Sequence, residues 1–431
     1  MSNKDMRNPK KGMALLAGAL LWIPLNAPPA RAGQVFVGVS EPFHYGDFDA
    51  HGWIRTFPDE TGWFFLHAAG GDYLLNHLDE SLQVDDPDWE YVKLTGRSDL
   101  IDHGITRCPD GGYLHISFSH TTTDTQYSFR YDTDWNLTTQ HVLVENDPKV
   151  HASDPPVLCS SVLNATGYGY GNTSPFRLVV LDDQGAPVRT QDLEDPVTST
   201  GSAMLGDPDT NTFIVVGFPW GFDYGLGMRR YDADLNLVES RSLDIPVPPD
   251  RRPMWSQGLM KVGDHYLVAY VVTTEQGGTS SDTGDIWLSA FDANWEHVET
   301  IAVVEETEDF WAYMRPGLSR KGNELVVTFD HQEGPLLAVV TLNLEALGED
   351  PADWTPWPGD DATGDDDATG DDLGAEETPG SETEVDPGCA CRSTPPTPWF
   401  GAAWLFLASG LVTSLRSRSS RRWPRSAEAG R

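Results

Sequence analysis

The sequence predicts an all-β chain folded as a six-bladed β-propeller, and three observations predict it. First, a short box recurs, clearest at Tyr231-Asp232-Ala233-Asp234-Leu235-Asn236-Leu237-Val238: an apolar residue closes a strand, Asp opens a turn, and an apolar residue opens the next strand. It stands again at Leu78-Asp79, Tyr131-Asp132, Leu181-Asp182, Phe291-Asp292 and Leu342-Asn343, in steps of 53, 50, 50, 60 and 51 residues. A period near fifty with four strand-like runs inside it is the length of one blade. Second, Gly52, Gly104, Gly201, Gly258 and Gly317 each open a repeat, while the third repeat carries Asp154-Pro155-Pro156 instead. Third, the last repeat lacks an outer strand, and a spare strand-like run, Gln34 to Val39, precedes the first repeat.

The chain opens with Lys4, Arg7, Lys10 and Lys11, then the apolar run Met13 to Leu25, then Ala30-Arg31-Ala32. This is the layout of a secretory signal peptide over residues 1–32, with cleavage expected after Ala32. The apolar run is short for a membrane span. Gln34 to Val39 follows, and pairing it into the sixth blade would close the ring and remove two exposed sheet edges. The propeller is expected over residues 33–348. Its second repeat reads as strands at Gly104 to Arg107, Gly112 to Ser119, Gln126 to Tyr131 and Thr138 to Val144, separated by Gly, Pro, Asp and Asn turn signals.

Export makes disulfides possible, and the four cysteines fall into two pairs. Cys108 and Cys159 occupy nearly equivalent places in neighbouring repeats. A bond between them and two separate buried thiols both remain open, because disulfide geometry is strict.

From Glu349 the composition changes. Residues 349–388 are acidic, with no basic side chain and almost no apolar residue after Trp357, and read as an extended, self-repelling linker. Residues 389–431 then bring Cys389 and Cys391, the apolar run Trp399 to Leu415, and Arg416, Arg418, Arg421, Arg422 and Arg425. The run reads as a transmembrane helix whose trailing arginines hold its C-terminal flank in the cytoplasm. This order of cysteines, apolar helix and arginines resembles the C-terminal sorting signal MYXO-CTERM, over about the last forty residues. The resemblance implies a myxobacterial or delta-proteobacterial surface protein, recognised by a sorting protease near Cys389 or Cys391, membrane-anchored through residues 399–415 before processing, then displayed at the outer cell surface or released.

Charge constrains the partners. The formal net charge is -37, and removing both ends and the linker still leaves -32 on the repeat region. Such a surface excludes a nucleic-acid backbone as partner and favours a soluble, exported protein.

Candidate chemistry comes from the loops. In a propeller, the connections from outer strand to next inner strand share one face with those between second and third strands. That face would gather Trp220, Trp255, Trp311, Tyr313, Arg315, Arg251, Arg252 and His103, with His120, Asp124, Lys149, His151, Phe222, Tyr224 and His331. Aromatics among polar forks stack on sugar rings or form a protein-binding patch; packing between blades is the equal alternative for the three tryptophans. His51, His103 and His151 come at successive repeats, a spacing that leaves room for a transition metal, although solvated or packed histidines are preferred. Asp132-Thr133-Asp134-Trp135-Asn136 and Asp232 to Asn236 alternate oxygen ligands as calcium loops do. They lack the Gly and Glu a helix-flanked calcium loop needs, so tight turns are the better reading.

Ser280-Ser281-Asp282-Thr283-Gly284-Asp285-Ile286-Trp287 resembles the Asp-box of sialidases, which are also six-bladed. Here the single copy falls between second and third strands rather than third and fourth, and no arginine triad can be assigned. The sequence thus favours a surface-anchored propeller binding an extracellular polysaccharide or surface protein. A carbohydrate-active hydrolase or lyase on the same scaffold is the alternative.

Overall fold

The structure is a computed structural model. It describes residues 34–350 apart from 45–53, 70–71, 84–91, 120–124, 146, 148–154, 170–175, 198–200, 218–224, 275–283, 306–315 and 332–333. The expected signal and sorting segments, and the expected linker beyond Asp350, lie outside the described residues; Glu349, its first residue, accepts bonds from Arg320 and from the Gly263 N–H.

Six antiparallel sheets are present. Blade 1 is β3 (Ile54–Pro58), β4 (Gly62–Ala69), β5 (Asp72–Asp79) and the short β6 (Val92–Lys93). Blade 2 is β7 (Leu100–Arg107), β8 (Tyr113–Ser119), β9 (Thr125–Tyr131) and β10 (Leu137–Val144). Blade 3 is β11 (Val157–Cys159), β12 (Asn164–Tyr168), β13 (Arg177–Leu181) and β14 (Pro187–Asp192), and blade 4 is β15 (Ala203–Asp207), β16 (Thr212–Gly217), β17 (Gly227–Asp232) and β18 (Leu237–Ser242). Blade 5 is β19 (Arg251–Val262), β20 (His265–Thr274), β21 (Asp285–Phe291) and β22 (His297–Val304). Blade 6 has β23 (Gly317–Lys321), β24 (Glu324–His331) and β25 (Gly334–Leu342) from the end of the repeat region, and takes its outer strand β1 (Phe36–Val39) from the start, with β2 (Phe43–His44) also pairing on β25. In blade 2 the sequence expectation is met within a residue at three strands; β7 instead starts four residues earlier, at Leu100.

Middle strands are buried on both faces, which explains their unbroken apolar runs. Along β16, Phe213 and Val215 face blade 3 whereas Ile214 and Val216 face blade 5. The result is six separate hydrophobic wedges, one in each seam between neighbouring blades.

The recurrent box is a turn with a fixed hydrogen-bond pattern. Asp132 Oδ1 accepts the N–H groups of Asp134 (3.0 Å) and Asn136 (2.8 Å). Asp79, Asp182 and Asp292 do the same for residues two and four further on. The fifth box residue is left-handed: Leu82, Trp135, Gly185, Leu235 and Trp295 have φ between 59° and 81°. These carboxylates hold turns, as their preference for backbone N–H groups predicts. The turns also tie blades together. The carbonyls of Gln184, Ala233 and Asn294 accept bonds from Thr139, Arg189 and Arg241 of the preceding blade.

Ring closure follows the same logic. Glu299 of blade 5 accepts the N–H groups of Val35 (2.6 Å) and Phe36 (3.3 Å), Asn343 N–H donates to the Val35 carbonyl, and both apolar side chains are buried. Gly104 and Gly258 mark places where inner strands crowd together. A Cβ added at Gly104 would lie 2.1 Å from the Pro155 carbonyl, and one at Gly258 would lie 2.8 Å from the Leu318 side chain. The Pro155-Pro156 departure in the third repeat is therefore what presses against Gly104.

A disulfide joins Cys108, at the end of β7, to Cys159, at the end of β11, with Cα atoms 4.9 Å apart. It staples blade 2 to blade 3.

Candidate functional site

The six inner strands surround a central cavity of about 120 Å³. Its walls include Arg55 and Thr56 from blade 1, His103 to Thr106 from blade 2, Pro155 to Val157 before and in blade 3, Met204 from blade 4, Leu259 from blade 5 and Leu318 from blade 6. Small-molecule pockets usually begin near 300 Å³. Among the described residues the central cavity is thus smaller than an ordinary small-molecule pocket.

At the end bearing the outer-to-inner and second-to-third connections, four seams or blades carry an arginine–aspartate pair. Arg97 donates through Nε and Nη2 to Asp99, whose carboxylate also accepts from Ser119 Oγ; the guanidinium holds the Asp99 carboxyl down at about 2 and lies 4.2 Å from the Tyr127 ring centre. Arg177 meets Asp192 beside Tyr168, Arg229 meets Asp195, and Arg251, the first residue of β19, meets Asp285, the first of β21, at 2.6 Å. Arg229 and Asp285 are themselves buried, so these pairs stiffen the roots of the loops.

The sequence candidates divide sharply. Arg251 and Arg252 stand side by side at the start of β19 on the expected face, half-buried. Trp255 lies four residues into β19, and its side chain lies outside the described residues, as do Trp220, Trp311, Tyr313, Arg315, His51 and His151 entirely. The Asp-box residues 280–283 also lie outside them, between β20 and β21 as expected.

His103 is placed by sequence near the channel mouth with His51 and His151, which lie outside the described residues; His103 itself lines the central cavity. In the fold it is 2% exposed in the seam between blades 1 and 2, where its Nδ1 lies 3.0 Å from Nε2 of His115. The alternation of β7 turns it toward blade 1, against the Tyr73 ring at 4.5 Å. Burial pushes the His103 imidazole down to about 3; burial, then the neighbouring His103, pushes His115 well below the usual imidazole range. His115 escapes sequence reasoning because it sits in the middle of an ordinary buried strand, Tyr-Leu-His-Ile-Ser. Among the described residues no group of three or more His, Cys, Asp or Glu side chains is arranged to hold a metal ion.

No known family model matches the chain, and no curated protein sequence resembles it. Solved structures do. A protein of unknown function from Dyadobacter fermentans aligns with a TM-score of 0.52 at 10% identity, covering 71% of this chain and 100% of that one. The arabinanase of Bacillus subtilis aligns with a TM-score of 0.36 at 13% identity, covering 57% and 94%. Regucalcin, a calcium-binding protein from Agrobacterium tumefaciens, aligns with a TM-score of 0.34 at 16% identity, covering 58% and 75%. At such identities the likeness is one of fold: this chain is a six-bladed β-propeller.

Proposed function

We propose that the chain is an exported propeller, tethered at the outer cell surface through its C-terminal segment, that binds an extracellular polysaccharide or surface protein on its loop-bearing end. The observation that carries the export reading is the Cys108–Cys159 disulfide between blades 2 and 3. Disulfides persist in oxidising compartments and are rare in the cytosol. The signal-like N-terminus and the cysteine, apolar and arginine order of residues 389–431 supply the route and the tether.

Binding at the loop end rests on a division of labour between the two ends. One end is made of tight box turns that lock blades together, and the other carries the long connections rich in Trp, Tyr and Arg. The narrow central cavity directs recognition outward, to a surface where aromatic rings stack on sugars or on a partner's side chains.

Two measurements test the reading. Protein recovered from the native cell envelope is expected to carry no titratable thiol at Cys108 or Cys159 until it is denatured and reduced; free thiols there remove the support for export. Recombinant chain is then run in native gels cast with bacterial and algal polysaccharides. Retarded migration in at least one gel is expected. Unretarded migration in all of them eliminates those polysaccharides and leaves a protein partner, and cleared zones replace binding by hydrolysis.

A further inference from the structure

The seam between blades 1 and 2 is built unlike the others. His103 on β7 and His115 on β8 face each other, Nδ1 to Nε2, at 3.0 Å, with their rings stacked at 30°. Such a bond needs one N–H and one bare nitrogen between the two rings. One added proton can still be shared, because the neutral ring switches tautomer and accepts from the imidazolium; a second proton leaves two N–H groups head to head, and the bond is replaced by repulsion between two like charges.

The surroundings make that outcome costly. Tyr73 of β5 packs on both imidazoles, with ring centres at 4.5 and 5.0 Å, while Phe129 stacks on His115 at 5.1 Å. Tyr131 of β9 presents its hydroxyl 3.5 Å from His115 Nδ1, and Tyr127 of the same strand lies under Arg97. The carboxylate of this pocket is Asp72, and its Oδ1 already accepts bonds from Tyr73 N–H, Thr95 N–H and the Thr95 hydroxyl. Both histidines are buried, so an imidazolium there has lost its water.

We propose that the blade 1–2 seam is a proton-responsive joint: in mild acid the paired imidazoles charge and repel across the β7–β8 pair, and their demand for water loosens the packing of Tyr73 of β5 on both strands while the other seams stay closed. The depressed basicity of both rings sets the direction, because it keeps the joint shut at neutral pH. For a protein exposed to the medium, this couples the packing beneath the loops of blades 1 and 2 to external acidity.

The test is hydrogen exchange on the full chain at pH 7.5 and 4.5, read as protection factors by peptide. Protection in β5, β7 and β8 is expected to fall by at least about tenfold on acidification relative to β20, β21 and β24, as a proton-linked opening requires. The double variant His103→Gln/His115→Gln, which keeps polar side chains but cannot charge, is expected to shrink that differential loss to about threefold or less. Unchanged protection in the three strands, an equal loss in all six blades, or a full differential loss persisting in the double variant would each overturn the proposal. The wild-type comparison stands alone if the variant does not fold.

Discussion

The seam between blades 5 and 6 and the seam between blades 1 and 2 solve the same packing problem with opposite chemistry. The first is aliphatic: Leu267, Val271, Ile286, Leu288, Leu325, Val327 and Leu336 interlock with Val35 and Phe36 of the closing strand. The second is aromatic and polar, with Tyr73, Tyr113, Phe129, Tyr131 and Trp135 around the His103–His115 pair. The aliphatic seam also seats the closing strand β1, and the side chains at its centre do not titrate. The aromatic seam has no closing strand to seat, and its centre holds two imidazoles.

The largest expected effect comes from breaking the first seam. Deleting residues 34–39 removes β1, uncovers the edge of β25 and strips Val35 and Phe36 from the wedge. Loss of a single cooperative thermal transition is expected; an unchanged melting curve would show that the ring does not depend on its closing strand. Truncating one side chain on each side sharpens the contrast. Leu325→Ala in the aliphatic seam and Phe129→Ala in the aromatic seam should each cost about 2–5 kcal/mol in denaturant unfolding at pH 7.5.

Acid separates the seams next. The folded His103 imidazole titrates at about 3, far below the ordinary 6.5, because burial disfavours its charge. The native chain therefore binds fewer protons than the unfolded chain between those values. The contribution is complete above pH 6.5 and is lost as pH falls toward 3. At pH 5 the loss is about 2 kcal/mol for one such buried group. H103Q should flatten that slope, whereas L325A should shift stability equally at every pH. A slope unchanged by H103Q would move the acid sensitivity elsewhere, for instance to buried His67, which burial pushes down to about 4 in the seam facing blade 6.

Much of this architecture was legible in the sequence, and the reason is physical. The box repeats because every copy solves one local problem, an Asp satisfying two turn N–H groups ahead of a left-handed residue, so its signal lies within five residues. The glycine marker was legible too, though its cause was not: Gly104 yields to the Pro155 carbonyl about fifty residues away, a contact created only when blades 2 and 3 pack side by side. The Cys108–Cys159 pairing stood open for a similar reason, since strand register alone does not give the 4.9 Å approach. The histidines show what repeat arithmetic omits. Equal spacing offers His51 and His151, outside the described residues, as neighbours of His103, but gives no sign of His115, its partner twelve residues away across a hairpin.

The smallest effect tests how the aliphatic seam is completed at its polar edge. Val35 and Phe36 are 1% and 2% exposed, and both of their N–H groups turn to one carboxylate, Glu299 on β22. The carboxylate accepts two bonds at once, which a strand neighbour in its place could not do at the start of β1, where the register with β25 shifts between Phe36 and Gly38. Glu299→Ala leaves two buried donors unmatched and should cost about 1–3 kcal/mol. Glu299→Gln keeps one carbonyl oxygen within reach and should recover roughly half of that loss. If glutamine and alanine prove equally destabilising in denaturant unfolding, the charge of Glu299 rather than its hydrogen-bond geometry holds the closing strand; if neither differs from wild type, apolar burial of Val35 and Phe36 closes the ring alone.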